Sequence, residues 1–260
     1  MAKLPEFAAI QWAEQTDSTN ARLVALARES GIKAKWPQLF GTHHQTQGKG
    51  RLGRIWHDRP GQALMFSAGF ALQNKGTPAK LDGLGPAIGM ASTIALRQFL
   101  AQPTRLRVKW PNDLMLDQGK CAGILIELAS TVDTTFIVIG MGINLSGHTQ
   151  LQTKLAREVA DLGPEFLPHA AASDLVAALA RSWQQTLEKV KRLGFTSCQA
   201  DYASVDYLAN QAVNIIDQGV TITTGIASGL APDGGLQVKT SKGLETFFAG
   251  DVSVRINTDA

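Results

Sequence analysis

The chain has 260 residues, 44% of them hydrophobic and 18% charged, and a net charge of +3. This length can bury a substantial core, the composition excludes a disordered or fibrous chain, and so small a charge does not by itself argue for nucleic acid. Two cysteines, Cys121 and Cys198, form no metal spacing and no disulfide framework, no apolar run reaches membrane-spanning length, and MAKLPEFAAIQW lacks a signal peptide's apolar stretch, so a cytoplasmic protein is expected. In chain order, FAAIQW (7–12) reads as a first strand, and STNARLVALARES with Gly31 behind it reads as a capped amphipathic helix. QALMFSAGFAL (62–72) is strand-like, and the apolar stretch 78–101 predicts a long helix ended by Gln102-Pro103. LRVKW, DLMLD and KCAGILIELA follow as three strands, the last two joined through a hairpin turn at Asp117-Gln118-Gly119. TTFIVIGMGINL is a further buried strand, and 173–193 returns to helix. Strands mixed with a few long helices, without regular βαβ alternation, predict an α+β fold. Beyond about residue 210, short β-branched runs are separated by turn residues, which predicts a small barrel of about five strands. The joint falls near Leu208 to Gln211 and divides the chain into 1–209 and 210–260.

Five stretches ask for more than folding. In QTQGKGRLGRIWHD (45–58), three glycines and three cations fall between Gly48 and Arg54, and Trp56 follows. Gly48, Gly50 and Gly53 match the dinucleotide pattern GxGxxG, yet no helix opens after it, and Lys49 is not followed by the Ser or Thr of a P-loop. The physics beneath both motifs remains. Glycines let backbone N–H groups approach an anion, while Lys49, Arg51 and Arg54 supply charge. A solvated basic loop would use the same residues, but an indole beside it adds a surface on which a base can stack. In KWPNDLML (109–116), Asn112 and Asp113 either satisfy their own turn or face a polar ligand. Lys120 opens a strand whose interior Gly123 marks the close approach of a ligand or another backbone. Ser18, Thr19 and Asn20 sit at a helix start, where capping explains one hydroxyl but not three polar groups in a row. Gly140-Met141-Gly142-Ile143-Asn144 ends a strand on close-approach backbone and one amide.

Taken together and in order, STN (18–20), QTQGKGRLGRIW (45–56), KWPNDLML (109–116), KCAGILIEL (120–128) and GMGINL (140–145) resemble the biotin protein ligases. The likeness covers nearly the whole chain, and GLQVKTSKGLETFFAGDVSVR resembles that family's C-terminal barrel. The family's usual loop reads GRGRxGRxW; here Lys49 stands at the second position, keeping charge but losing the planar fork of arginine. The resemblance implies a mixed-sheet catalytic domain (1–209) of the class II synthetase-like biotin/lipoate ligase type, with a C-terminal SH3-like β-barrel (210–260).

The implied chemistry has two steps. Biotin carboxylate attacks the α-phosphate of ATP to give biotinyl-5′-AMP, and a carrier lysine then attacks the activated carbonyl. Mg²⁺ would shield the phosphates, and the metal ligands stay unassigned. The family pattern puts Ser18, Thr19, Asn20, Gln45, Gly48, Lys49, Gly50, Arg51, Lys120 and Gly123 around biotin. It puts Arg51, Arg54, Trp56, Asn112, Lys120 and Asn144 around the nucleotide, with Lys120, Arg51 and Asp113 in catalysis. The implied partner is a biotin carboxyl carrier domain of acetyl-CoA carboxylase or a related carboxylase, with no nucleic acid and no membrane; a homodimer is left open. Lipoyl and octanoyl ligases resemble the same fold but lack the GKGRLGR…W run. Family members that double as repressors carry a DNA-binding domain ahead of the STN motif, which arrives here at residue 18, so a single-function enzyme is expected.

Overall fold

The computed structural model describes residues 4–57, 60–74, 81–147, 158–250 and 252–257. Its centre is a mixed seven-stranded sheet, and the outer strands on one side are β1 (Ala9–Ala13) and β2 (Gln38–Thr42), which run parallel. Next come the two long strands β3 (Ala63–Gln73) and β7 (Thr134–Asn144), then β6 (Gly119–Ser130), β5 (Asp113–Leu116) and β4 (Leu106–Lys109). All pairings after the first are antiparallel. Strands β3 and β7 are buried along nearly their whole length because helices cover both faces, and this explains their continuous apolar runs.

One face carries α1 (Thr19–Ser30). Ser18 caps it, accepting from the Ala21 N–H at 3.4 Å, and Gly31 (φ 51) ends it. Leu23 and Val24 pack on Val138, and Ala27 packs on Ala129 and Phe136. The other face carries α2 (Leu84–Arg97) and α3 (Ala172–Leu193). The Trp183 ring of α3 stacks on Phe66 of β3 at 5.1 Å, and its indole N–H donates to Ser92 Oγ of α2 at 2.8 Å. A fully buried ring with its polar tip satisfied is among the stronger anchors a core can have.

The helix expected over 78–101 is shorter. Gly83 starts it in the left-handed region (φ 73), and at its end Leu100 pairs with Phe166 instead of continuing the helix. Residues 78–80 lie outside the described residues. The hairpin turn is Asp117-Gln118 alone, both at positive φ (50 and 45), so Gly119 already pairs with Leu116. Two left-handed residues suit the twist of a two-residue hairpin, and Arg105 holds the Asp117 carboxylate.

The short helix α4 (Gln199–Ala203) leads to a five-stranded antiparallel sheet of β8 (Ala212–Asp217), β9 (Val220–Leu230), β10 (Leu236–Thr240), β11 (Gly243–Phe247) and β12 (Ser253–Ile256). The five expected strands are present, and bulges in the β8–β9 and β9–β10 pairings curve the sheet. Among the described residues no ladder joins β11 to β12. One apolar cluster runs across the joint, from Ala87, Met90 and Trp110 to Val213, Ile215 and Leu236. Among the described residues no helix is long and apolar enough to cross a membrane.

Candidate active site

A cavity of about 530 Å³ lies on the α1 face of the large sheet. Its floor is set by register. Antiparallel partners share a face, so Gly123 of β6 and Gly142 of β7 stand side by side there, as do Leu125 and Gly140 one step along. The glycines leave space that neighbours fill. A Cβ on Gly140 would lie 2.0 Å from Asn20 Oδ1, and one on Gly142 would lie 2.6 Å from the Trp56 indole.

At one end stands the polar start of α1. The Thr19 N–H and hydroxyl both donate to Gln45 Oε1, at 2.7 and 3.1 Å. Ser67 Oγ lies 2.7 Å from Thr19 Oγ1 and 2.6 Å from Asn20 Oδ1. The Asn20 amide donates to Glu127 Oε2 and to the Leu125 carbonyl at 2.8 and 3.3 Å. Ser18, Thr19 and Asn20 are each about 95% buried, so this is an interior network and not a solvated cap.

In the middle, Lys120 Nζ donates to Asp113 Oδ1 at 2.5 Å. A bulge makes that meeting happen. Asp113 faces Gly123 and Leu114 faces Ala122, but Met115 faces Lys120, which leaves Cys121 as the extra residue. In unbroken register Lys120 would oppose Leu116 and share its face, the face that packs into the core. Cys121 is fully buried and bonds through its thiol to the Leu114 carbonyl at 3.4 Å. Burial pushes its pKa up to about 12, so it stays a neutral thiol with no nucleophilic part.

The glycine-rich stretch forms a narrow hairpin over the cavity. The Gly50 N–H donates to the Arg54 carbonyl at 2.7 Å and the Trp56 N–H to the Gly48 carbonyl at 2.9 Å, with Lys49 bridged to Ile55 between them. Leu52 and Gly53 turn the tip at positive φ (55 and 70). Arg51 Nη1 reaches Asn112 Oδ1 at 3.4 Å. Burial lowers the Arg51 pKa, partly offset by Asp113, and Arg54 adds to the lowering. The Asn112 amide donates in turn to the Ile124 carbonyl at 2.5 Å. The Trp56 indole lies over the glycine floor with Lys120 Nζ 5.5 Å from its centroid, and Trp56 Nε1 is buried without a hydrogen-bond partner among the described residues.

The structure thus brings Ser18, Thr19, Asn20, Gln45, Lys49, Gly50, Arg51, Arg54, Trp56, Asn112, Asp113, Lys120 and Gly123 to one cavity. Gly48 and Asn144 do not line it. Gly48 lies behind Trp56, where a Cβ would be 3.1 Å from the Trp56 carbonyl oxygen. The Asn144 amide donates to the Lys120 and Ala160 carbonyls at 3.3 Å each, bracing the backbone of Lys120. Sequence reading missed Ser67 and the strip Val252–Arg255, which lines the cavity from the C-terminal sheet. Ser67 had a signal, a hydroxyl in the middle of an apolar strand run, which demands a buried partner. The strip had none, because it arrives by docking of one sheet on the other.

A glycine-floored cavity on a mixed sheet, roofed by a cationic hairpin and followed by a small antiparallel sheet, places the chain among α+β folds with a small-molecule-sized site on the central sheet. Residues 12–144 match the model of the Biotin/lipoate A/B protein ligase family, and residues 209–255 match the Biotin protein ligase C terminal domain. The chain belongs to the biotin/lipoate A/B protein ligase family. It is 32% identical over 217 residues to the bifunctional ligase/repressor BirA of Escherichia coli, covering 82% of this chain and 64% of that one. It therefore spans less than two thirds of that relative's length. It is also 30% identical to the biotin--[acetyl-CoA-carboxylase] ligase of Mycobacterium tuberculosis, covering 92% of this chain and 86% of the relative. Among solved structures, the biotin protein ligase from Aquifex aeolicus in complex with biotin and ATP superposes with a TM-score of 0.75. It shares 24% identity with this chain, covers 96% of it, and is itself covered in full, a likeness of fold.

Proposed function

We propose that the chain is an ATP-dependent biotin protein ligase, which activates biotin as biotinyl-5′-AMP and transfers it to a lysine of a biotin carboxyl carrier domain. The observation that carries this reading is one continuous cavity holding a buried polar end at Ser18–Asn20, the Lys120–Asp113 pair, and the cations of the 48–56 hairpin. Its 530 Å³ lies within the roughly 300–1,000 Å³ of small-molecule sites. The names of the relatives and structural neighbours, several with biotin, ATP or biotinyl-5-AMP, support the same reading.

In this reading Ser18, Thr19, Asn20 and Gln45 receive the biotin head group, and its carboxylate extends towards Lys120. The carboxylate oxygen attacks the α-phosphorus of ATP and pyrophosphate departs. The carrier lysine amine then attacks the carbonyl carbon, and AMP leaves with the anhydride's bridging oxygen. Lys120 stabilises the charge that builds on the carboxylate and α-phosphate oxygens, the kind of preorganised contact that lowers barriers most. Arg51 and Arg54 enclose the phosphate with Lys49 beside them and Trp56 beside the nucleotide, while the Gly50 N–H is spent on the Arg54 carbonyl. Asp113 orients Lys120, because one of its oxygens is already engaged by that ammonium.

Mg²⁺ belongs to this reaction as the counter-ion of the phosphates. Among the described residues no group of three His, Cys, Asp or Glu side chains is poised to hold a metal, and the carboxylates lining the cavity are Asp113 and Glu158. That donor set suits Mg²⁺ held mainly by substrate phosphates and water, with one protein carboxylate. We assign the catalytic unit to 1–209 and the C-terminal unit to 210–260, and place the protein in the cytoplasm. The test is one assay with ATP, Mg²⁺, labelled biotin or labelled lipoate, and a carrier domain. Transfer of biotin label to the carrier lysine is expected; transfer of lipoate alone, or of neither, overturns the reading.

A further inference from the structure

The segment Trp110–Pro111–Asn112 joins β4 to β5 and delivers Asp113 to the cavity. It is held from three sides. The Pro111 carbonyl faces Gly85 and Gly89 of α2. Asn112 exchanges two hydrogen bonds with Ile124 of β6: its amide to the carbonyl, and the Ile124 N–H to its own carbonyl at 3.0 Å. The third hold comes from 124 residues away, where the Trp110 indole N–H donates to the Gly234 carbonyl at 3.0 Å. Trp110 borders the cavity but is only 2% exposed, and its polar tip is turned to this carbonyl.

Gly234 belongs to a turn built to present that carbonyl. The Ala231 N–H donates to the Gly235 carbonyl at 2.8 Å and the Gly234 N–H to the Ala231 carbonyl at 2.9 Å, while Asp233 Oδ1 accepts from the Gly235 N–H at 3.1 Å. Gly234 has φ 83, and a Cβ there would lie 2.4 Å from Gly83 Cα. Two glycines therefore meet face to face, and only so can the turn reach Trp110. Just before Trp110, the Val108 N–H donates to the Val205 carbonyl and its carbonyl accepts from the Tyr207 N–H, each at 2.9 Å. The strand and turn that carry Asn112 and Asp113 thus also hold the segment leading into the C-terminal sheet and, through Trp110, one of that sheet's turns.

We infer that Trp110 is a positioning residue for adenylate formation, its bond to Gly234 locking the 110–113 turn against the C-terminal sheet and so holding Asn112, Asp113 and, through Asp113, the Lys120 ammonium. Simple packing needs only the ring; the lock needs the N–H. This rests on the ligase reading, and the experiment separates the two. Single-turnover biotinyl-5′-AMP formation and the KM values for biotin and ATP are measured for the wild type, Trp110→Phe and Asp233→Ala. Asp233 is exposed and outside the cavity, so its loss loosens the turn without touching the core.

Misplacing a reacting group by about 1 Å can cost on the order of a hundredfold, so Trp110→Phe should slow adenylation by roughly ten- to a hundredfold. Both KM values should stay within about twofold, since ground-state binding keeps its contacts. Asp233→Ala should slow the same step by a smaller factor, and it carries the test if Trp110→Phe does not fold. Adenylation at the wild-type rate in either folded variant, or a rise in KM alone, overturns the inference. A wild type that makes no adenylate overturns the ligase reading and the inference with it.

Discussion

The two polypeptide segments that face each other across the cavity are built on opposite plans. The 48–56 hairpin is joined to itself by short backbone bonds, and its tip is open: Leu52 and Ile55 are 71% and 69% exposed. The 110–113 turn packs against α2 and is hydrogen-bonded to β6 and to the C-terminal sheet, and its flanking strand residues Val108 and Leu114 are fully buried. In the proposed ligase, the groups that must be in place before substrate arrives are those on the braced side, and the groups that wrap a ligand are those on the open side. Substitutions on the braced side should therefore act on the rate of chemistry, and those on the open side on retention of what has been bound.

The largest effect is expected at Lys120. Removing a preorganised donor aimed at developing charge costs on the order of a hundred- to thousandfold in rate, so Lys120→Ala should slow single-turnover adenylate formation by that factor. It also leaves Asp113 without its 2.5 Å partner. A normal rate in this variant would remove Lys120 from the chemistry and leave the braced side without a function. Next comes Gln45→Ala, which takes away the acceptor of both Thr19 bonds. Leaving buried donors unpaired costs about 1–3 kcal/mol, and biotin affinity should weaken by roughly ten- to a hundredfold. Isothermal titration in the absence of ATP reads this directly, and unchanged affinity would show that the Ser18–Asn20 end is scaffold and not binding site.

Much of this division was legible before any coordinates. The glycine and cation content of 48–54 suggests a backbone-wrapped anion site, with a solvated basic loop as the alternative, and Lys120 and Asp113 stand out within short motifs. What could not be read was how the side chains are aimed. Lys120 reaches the cavity only because Cys121 is an extra residue in the ladder, and nothing in KCAGIL announces a bulge. Asn144 has a motif but, in the fold, turns to two carbonyls and supports Lys120 from behind. The five short C-terminal strands are plain from their turns, whereas the contact of Val252–Arg255 with the cavity comes from docking of segments far apart in sequence. The apolar composition that predicts helix up to residue 101 continues past Arg97, where the helix ends, to Leu100, which takes a strand-like partner.

Arg51 sharpens the comparison from the open side. Its side chain reaches Asn112 only at 3.4 Å, so the hairpin is coupled loosely to the turn beneath. Arg51→Gly should still form adenylate, within about threefold of the wild-type rate, but release it about tenfold faster, because one charge-assisted contact is worth about 1.4 kcal/mol or more. A chase with unlabelled biotinyl-5′-AMP measures the off-rate. If adenylate formation collapses while the off-rate is unchanged, Arg51 acts in chemistry and the two sides are not functionally distinct.

The smallest effect lies on the braced side, behind the site. Asp206 is 5% exposed, and it follows Val205 at the point where the chain pairs with Val108. Its Oδ1 accepts from the Leu208 N–H at 2.9 Å, and it faces the Arg107 charge and the buried Tyr202 hydroxyl. Burial pushes its pKa up to about 6, against 3.8 for the free group, with the Leu208 bond and Arg107 opposing. A raised carboxylate pKa means that the folded chain holds the proton more tightly than the unfolded one. Stability from this group is then greatest at low pH, falls as pH rises from about 4 to about 6, and levels off above. Between pH 5 and pH 7 the loss is about 1 kcal/mol. Asp206→Asn keeps an acceptor for Leu208 and cannot ionise, so its stability should change less over that interval, by about that amount. Denaturant unfolding of both proteins at the two pH values gives the difference, and contributions from all other groups cancel in it. Equal pH dependence would mean that Asp206 is as solvated as a surface carboxylate, and that the joint bracing Val108 opens far more readily than the buried contacts around it imply.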